Sequence, residues 1–256
     1  MYRLNHLANP ILFYLALLFT ALFCAPSLSA DNTPLKFGIS IGFPPYQYQV
    51  DDYPAGFDVD VAKLIANSLE RDFEFVQGQW DTVLNQLRFG EIDLIVGMEI
   101  NSIRARVFDF SAPYYERRDA VFVLSGNQSI KQLADLEGRL VAGDRHSTLQ
   151  SQWQQQQSLY QYRLQNTASK AVSMQRLDSG LVDAAIMPEA VGLFLAKQRG
   201  VKVSILAQPA SGTPVAVAVK KGNASLHQEV NQAVQQLLDS GEIPQLYQRW
   251  FHRSDN

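Results

Sequence analysis

The 256-residue sequence predicts an α/β protein of two lobes joined by a two-segment hinge. Three observations carry this. Short apolar strands alternate with longer helical stretches from Pro34 onward. The same rhythm restarts near Ile130. After the second run, one strand and two helices are left over that a second α/β unit does not need.

The elements follow in order. Leu35–Ile41 (LKFGISI) reads as a strand, and 42–54 as a loop rich in proline and aromatics. Val59, Val61, Ala62, Ile65, Ala66 and Leu69 recur at helical spacing, so 58–69 is a helix with Asp58 placed as its cap. FEFV (73–76) is a strand. Residues 81–89 form a helix with Val83, Leu84 and Leu87 on one side, opened by Asp81 and stopped by Gly90. IDLIVG (92–97) is a strand. This strand–helix alternation implies a parallel sheet with helices on its faces.

In the second run, 130–133 reads as a short helix and 139–143 as a strand. A helix over 149–159, a strand over 162–165 and a helix over 168–179 follow, the last ending at Gly180. Then come a strand (182–187), a helix (189–199) and strands over 201–206 and 214–219. Helices over 224–239 and 243–251 close the chain. Returning this last segment to the first lobe needs two crossings, near Arg117–Val121 and Gly212–Val215. The first lobe is then 31–117 with 215–256, and the second 118–214. Two connections make a hinge with a crevice between the lobes.

Residues 1–30 have the form of a cleaved export signal: Arg3 without any acid, an apolar run from Ile11 to Cys24, and small residues up to Ala30. The run is short for a bilayer span, which takes about 20 residues. Cys24 is the only cysteine, so disulfide and thiol chemistry are not expected beyond the signal. Without Arg3 the count is 21 Lys and Arg against 25 Asp and Glu, a net charge of −4. Mild acidity excludes a nucleic-acid surface, which needs a basic stripe.

Several motifs in series carry a resemblance. They are GFPPYQY (42–48), GFDVDVAKLIANSLE (56–70), the run from FEFVQGQWD to DFSAPYY (73–115), LEGRLVAGDRHSTLQ (136–150), LDSGLVDAAI (177–186) and GEIPQLYQRWF (241–251). Together they resemble the family-3 periplasmic solute-binding proteins of polar amino-acid transporters, over about residues 34–252. The resemblance implies a periplasmic-binding-protein-like fold of type II and a periplasmic monomer. It implies capture of an amino acid or related carboxylate by cleft closure, and delivery to an inner-membrane ABC permease. It implies no cofactor and no metal.

The resemblance also implies a site. Gly-Met-x-Ile-x-x-x-Arg followed by Asp-Phe-Ser-x-Pro-Tyr places Arg104 where the family meets the ligand carboxylate. A guanidinium fork suits a carboxylate and stays charged. Gly97, Met98 and Glu99, at the end of the preceding strand, lie beside it and offer backbone N–H groups to an anion. Phe43 and Trp80 match positions whose rings sandwich the ligand; Tyr46 is either a third ring or core. The turn His146-Ser147-Thr148 either closes on the carboxylate or caps a helix, and can do both.

Two departures bear on the ligand. Glu99 stands where members commonly carry Thr or Ser, and its carboxylate repels a ligand carboxylate unless it points away or is neutral. Pro188 stands where amino-acid binders place an Asp for the ammonium. Glu189 next to it either substitutes or merely opens a helix. Ser40 sits where some members use an Asp. An enzymatic alternative is a cyclohexadienyl dehydratase with Glu99 and Glu189 as acid and base; those enzymes carry their catalytic Glu at the position of Val191. A ligand sensor acting in trans is a third class. Gly38-Ile39-Ser40-Ile41-Gly42 matches G-x-S-x-G, but the Ser lies within a strand and Pro44 and Pro45 follow, which is not a nucleophile elbow. The four histidines are scattered, and no Cys/His/Asp cluster has metal-ligand spacing.

Overall fold

The computed structural model describes residues 33–144, 159–206 and 212–252. The expected signal segment, Cys24, the turn His146-Ser147-Thr148 and nearly all of the helix expected over 149–159 lie outside the described residues. No helix among the described residues is long and apolar enough to cross a membrane.

β1 (Leu35–Ser40) is buried at five of its six positions, the pattern of a strand covered on both faces. The stretch expected as a plain loop contains a hairpin, β2 (Tyr48–Val50) and β3 (Tyr53–Ala55). Its turn is Asp51-Asp52, both at positive φ (49° and 66°), which aspartate tolerates better than most side chains. Helix α1 (Phe57–Ser68) is capped by Gly56, not by Asp58. Asp58 lies in the first turn and is drawn into the core by the groups it binds there. β4 (Phe73–Gly78) follows, then α2 (Trp80–Phe89), preceded by Gln79 and ended by Gly90 at φ 81°. Asp81 is therefore inside α2 rather than its cap. β5 (Leu94–Glu99) is buried throughout.

A single 3-10 turn (Arg104–Arg106) leads to three strands that periodicity missed: β6 (Phe108–Phe110), β7 (Tyr115–Arg117) and β8 (Asp119–Leu124). Two are only three residues long, too short for alternation to register. A 3-10 turn at Leu133–Leu136 replaces the helix expected over 130–133, because the Gln132–Asp135 capping pair starts it later. Then come β9 (Leu140–Asp144), β10 (Arg163–Thr167), α3 (Lys170–Asp178), β11 (Ala184–Pro188) and α4 (Glu189–Arg199). β12 (Val203–Leu206), β13 (Thr213–Lys220), α5 (Ala224–Asp239) and α6 (Glu242–Phe251) complete the described chain.

The first sheet has the order β4-β1-β5-β13-β6, with β7 also on β13; β4, β1 and β5 are parallel and β13 antiparallel. The second has the order β10-β9-β11-β8-β12, with β8 antiparallel to both neighbours. The chain leaves the first sheet after Arg117, enters the second at Asp119, and returns between Leu206 and Thr213. The closing helices pack on α1: Tyr247 and Phe251 meet Phe57 at 5.5 and 5.4 Å, and the Trp250 indole donates to Asp60 at 3.1 Å.

Strand alternation divides the second sheet's core. Val121, Val123, Val141, Ala184 and Ile186 share one face with Ile130, Leu136 and Tyr162. Ala120, Phe122, Ala142, Ala185 and Met187 face α3 and α4 through Met174, Leu177, Val191 and Leu195. Each such large side chain adds about 1.5–3 kcal/mol on burial. Gly192 lets α4 seat on this face, since a Cβ there would come 2.2 Å from the Phe122 ring. Gly192→Ala is expected to lower unfolding free energy by about 1–3 kcal/mol through overpacking, read as a reduced urea midpoint at unchanged slope.

Candidate functional site

The strand ends converge on one cavity. Its volume is about 170 Å³, room for several waters or a small solute. From the first sheet come Ser40, Gly97, Glu99 and Arg117 on strands, with Phe43, Gln47, Trp80, Asp81 and Arg104 on the following segments. From the second come Asp144, Ser169, Lys170 and Pro188. The carboxyl ends of parallel strands and the helix starts behind them commonly form such crevices.

The floor is set by Asp58, which is fully buried. Tyr114 donates its hydroxyl to Oδ1 at 2.7 Å, and Gln47 donates to Oδ2 at 3.1 Å. Tyr115 donates at 3.4 Å, and the Arg117 guanidinium stands 3.8 Å away. Burial raises the Asp58 pKa, while Arg117 and the hydrogen bonds oppose that shift. Gln47 ties three segments together: it also donates to the Val96 carbonyl at 2.9 Å and accepts from the Ser40 N–H at 2.7 Å. At Gly97 (φ 74°) the backbone comes so close to Asp58 that a Cβ there would sit 2.1 Å from Oδ2. Ser40 lies inside β1, so the G-x-S-x-G match has no elbow.

Arg104 lines the cavity with its side chain 11% exposed. It donates to the Glu99 carbonyl at 3.0 Å, approaches the Glu99 carboxylate at 3.8 Å and lies 5.0 Å over the Trp80 ring. Burial lowers its pKa and the Glu99 charge resists, yet a guanidinium remains a cation. Arg117 was not anticipated. It stands over Phe43 (4.7 Å) and Tyr46 (4.6 Å), pairs with Glu99 at 3.3 Å, and donates to the Tyr115 hydroxyl. The rings expected to sandwich a ligand are therefore already covered by the protein's own cations. The Glu99 carboxylate faces two arginines of the chain, Arg117 at 3.3 Å and Arg104 at 3.8 Å.

The structure places the remaining expected residues as follows. Phe43, Trp80, Gly97 and Glu99 line the cavity. Tyr46 does not; it is 3% exposed beneath Phe43, stacked at 5.6 Å, and so belongs to the support. Met98 is fully buried among Val83, Leu87 and Ile95, because strand alternation turns it from the crevice. Glu189 is exposed in the first turn of α4 and lies outside the lining, while Pro188 is within it. Ser147 and Thr148 lie outside the described residues.

Arg117, Asp144, Ser169 and Lys170 are additional lining residues. All sit at strand ends or helix starts, where the crevice rule for α/β sheets would have pointed. Lys170 opens α3, an unfavourable place for a cation; its pair with Asp144 offsets this. Its ammonium is also 4.8 Å from the Phe43 ring. Asp119 starts β8 directly opposite Pro188. Burial, then the Glu99 charge, push its carboxyl up to about 8, against Lys170 and Arg117. Among the described residues no group of three or more His, Cys, Asp or Glu is placed to hold a metal ion.

This two-sheet crevice can be compared with known proteins. The model of the bacterial extracellular solute-binding proteins, family 3, matches residues 35–253, and the chain belongs to that family. ABC transporter arginine-binding protein 1 of Escherichia coli (strain K12) is 26% identical, over 85% of this chain and 90% of that protein. An ancestral arginine-binding protein solved with arginine superposes with a TM-score of 0.77 at 33% identity, over 85% of this chain and 98% of that one. An ancestral amino acid-binding protein, a precursor of cyclohexadienyl dehydratase, gives 0.76 at 27% identity, over 85% and 95%.

Two tests follow from this geometry. Arg117→Ala leaves Asp58 and Glu99 short of their shared cation and is expected to cost about 3–5 kcal/mol in urea unfolding, with Arg117→Lys losing less. For Asp119, the raised pKa means the folded state binds more protons than the unfolded chain between about pH 4 and pH 8, so stability falls as pH rises through that window. Asp119→Asn is expected to flatten that slope in melting curves, and the ligand-free variant to outlast the wild type at pH 9.

Proposed function

We propose that this chain captures a small amino acid or related carboxylate in the cavity between its two sheets and presents it, closed, to an ABC permease. The observation that carries the reading is Arg104: a cation at the end of β5, lining the cavity and seated on Trp80. Its guanidinium has a carbonyl on one side and a carboxylate at only 3.8 Å on the other, which leaves donors for an incoming carboxylate. The named relatives, which bind arginine or amino acids, support the same class of solute. We read the lobes as 31–117 with 215–256 and 118–214, moving about the crossings as a hinge. Cleavage of residues 1–30, a periplasmic location and a monomeric state belong to this reading.

The dehydratase reading is weaker. Of its two candidate carboxylates, Glu189 is exposed outside the lining and Glu99 is held between two arginines. Val191, where those enzymes would carry their acid, is fully buried. We therefore read the chain as a binder and not an enzyme.

A melting-shift panel of amino acids, carboxylates, amines and small sugars tests the function. The true solute at a hundredfold excess over its dissociation constant adds about 2.7 kcal/mol to stability. Arg104→Ala is expected to abolish the shift; an equal shift in that variant removes Arg104 from the site.

A further inference from the structure

The cavity has a second charged station, contributed by the second sheet. Lys170 is the first residue of α3 and Asp144 the last of β9, and both line the cavity. They are 9% and 8% exposed, and lysine is seldom so buried unless it is paired. The ammonium donates to Asp144 Oδ2, and the two form an ion pair. The same ammonium stands 4.8 Å from the Phe43 ring, on the segment after β1. Arg104 on Trp80 and Lys170 on Phe43 are thus two cations, each seated on a ring from the first sheet's side, that line one cavity of about 170 Å³.

The fold alone does not complete this pair. Asp144 Oδ1 is buried with no hydrogen-bond partner among the described residues. Lys170 has three N–H donors and uses one on Oδ2, its only hydrogen bond among the described residues. Helix α3 does not call for a cation here either. Its start favours an anion, and Ser169 already caps it by accepting the Val172 N–H at 3.2 Å. The cavity therefore meets a pair of zero net charge that offers donors beside an unused acceptor. The torsion that orients an aspartate carboxylate is broad, so a small turn presents the unpaired oxygen to a donor in the cavity.

Three kinds of solute end meet this wall differently. A guanidinium carries only donors, and it sets a like charge against Lys170. A carboxylate carries only acceptors, and it sets a like charge against Asp144. Each gains from one member of the pair and loses to the other. A primary carboxamide is uncharged and brings an acceptor for Lys170 together with a donor for Asp144. The wall thus discriminates by repulsion as well as by fit.

We propose that Lys170 and Asp144 read the far end of a solute whose carboxylate meets Arg104, taking a primary carboxamide in preference to a carboxylate or a guanidinium. The inference rests on the reading of the cavity as a solute cleft. It sets the expected solute apart from the arginine bound by two of the relatives.

The test is calorimetric titration of the full chain with L-glutamine, L-asparagine, L-glutamate and L-arginine at pH 7. The wild type is expected to bind one of the two amides at least about tenfold more tightly than L-glutamate and L-arginine. The side-chain methyl ester of the matching acid keeps the acceptor and lacks the N–H donors, and is expected to bind at least about tenfold more weakly than that amide. Asp144→Asn leaves the ammonium unbalanced and is expected to raise L-glutamate relative to the amide by about tenfold. Lys170→Met leaves the carboxylate unbalanced and is expected to raise L-arginine relative to the amide by about tenfold. A pair that only held β9 to α3 would weaken every solute together and leave these ratios unmoved. Unmoved ratios in folded variants, an ester bound as tightly as the amide, or a wild-type preference for L-glutamate or L-arginine each overturn the selection and leave the solute cleft standing. Binding of another member of the melting panel with none of the four amino acids overturns it likewise. No binding to the four and no shift anywhere in the panel removes the solute-cleft reading and this inference with it.

Discussion

A fully buried carboxylate holds this architecture together. Asp58 enters the core from the first turn of α1 and meets Tyr114, Tyr115, Gln47 and Arg117. Through those partners it joins α1, the loop after β1, β5 and β7. A lone ionised carboxylate in such a place is prohibitively costly, so the surrounding donors are a condition of the fold and not an ornament. Gly97 is part of the same constraint, because any larger residue would fill the space the carboxylate needs. The cavity floor is rigid for this reason, and the groups above it inherit its precision.

Upon that floor the cleft is arranged as charge answered by charge. Arg117 serves both Asp58 below and Glu99 beside it, and its flat face rests on Phe43 and Tyr46. Glu99 in turn steadies Arg104, whose other face rests on Trp80. Each cation is thus held by a carboxylate at its edge and a ring at its face, which limits the reorganisation a solute must drive. The second wall is less complete. Lys170 and Asp144 satisfy each other only in part, and Asp119 stands without a partner among the described residues.

Much of the fold was legible because periodicity reports burial. α4 and α5 begin and end where their apolar spacing puts them, and β1, β5 and β11 read as apolar runs because both faces are covered. The misses have physical causes. β6 and β7 are held by pairing to β13, a long-range contact that no local pattern announces. Asp58 looked like a helix cap because aspartate usually is one at that spot; its role depends on Arg117, 59 positions away in sequence. The site was legible where a motif surrounded the residue, as at Arg104. It was not legible where the lining depends on long-range pairing, as at Arg117, which β7 brings to the cavity by pairing with β13.

The pairing of Glu99 with Arg117 has a consequence for how such a cleft can change over generations. Replace Arg117 and Asp58 loses its cation in a dry interior while Glu99 keeps only Arg104 at 3.8 Å, so position 117 cannot drift by a single step without passing through a poorly folded intermediate. A lineage carrying this pair is therefore held in its own binding chemistry. A change at 99 leaves Arg117 with the Asp58 carboxylate, so position 99 is the freer of the two.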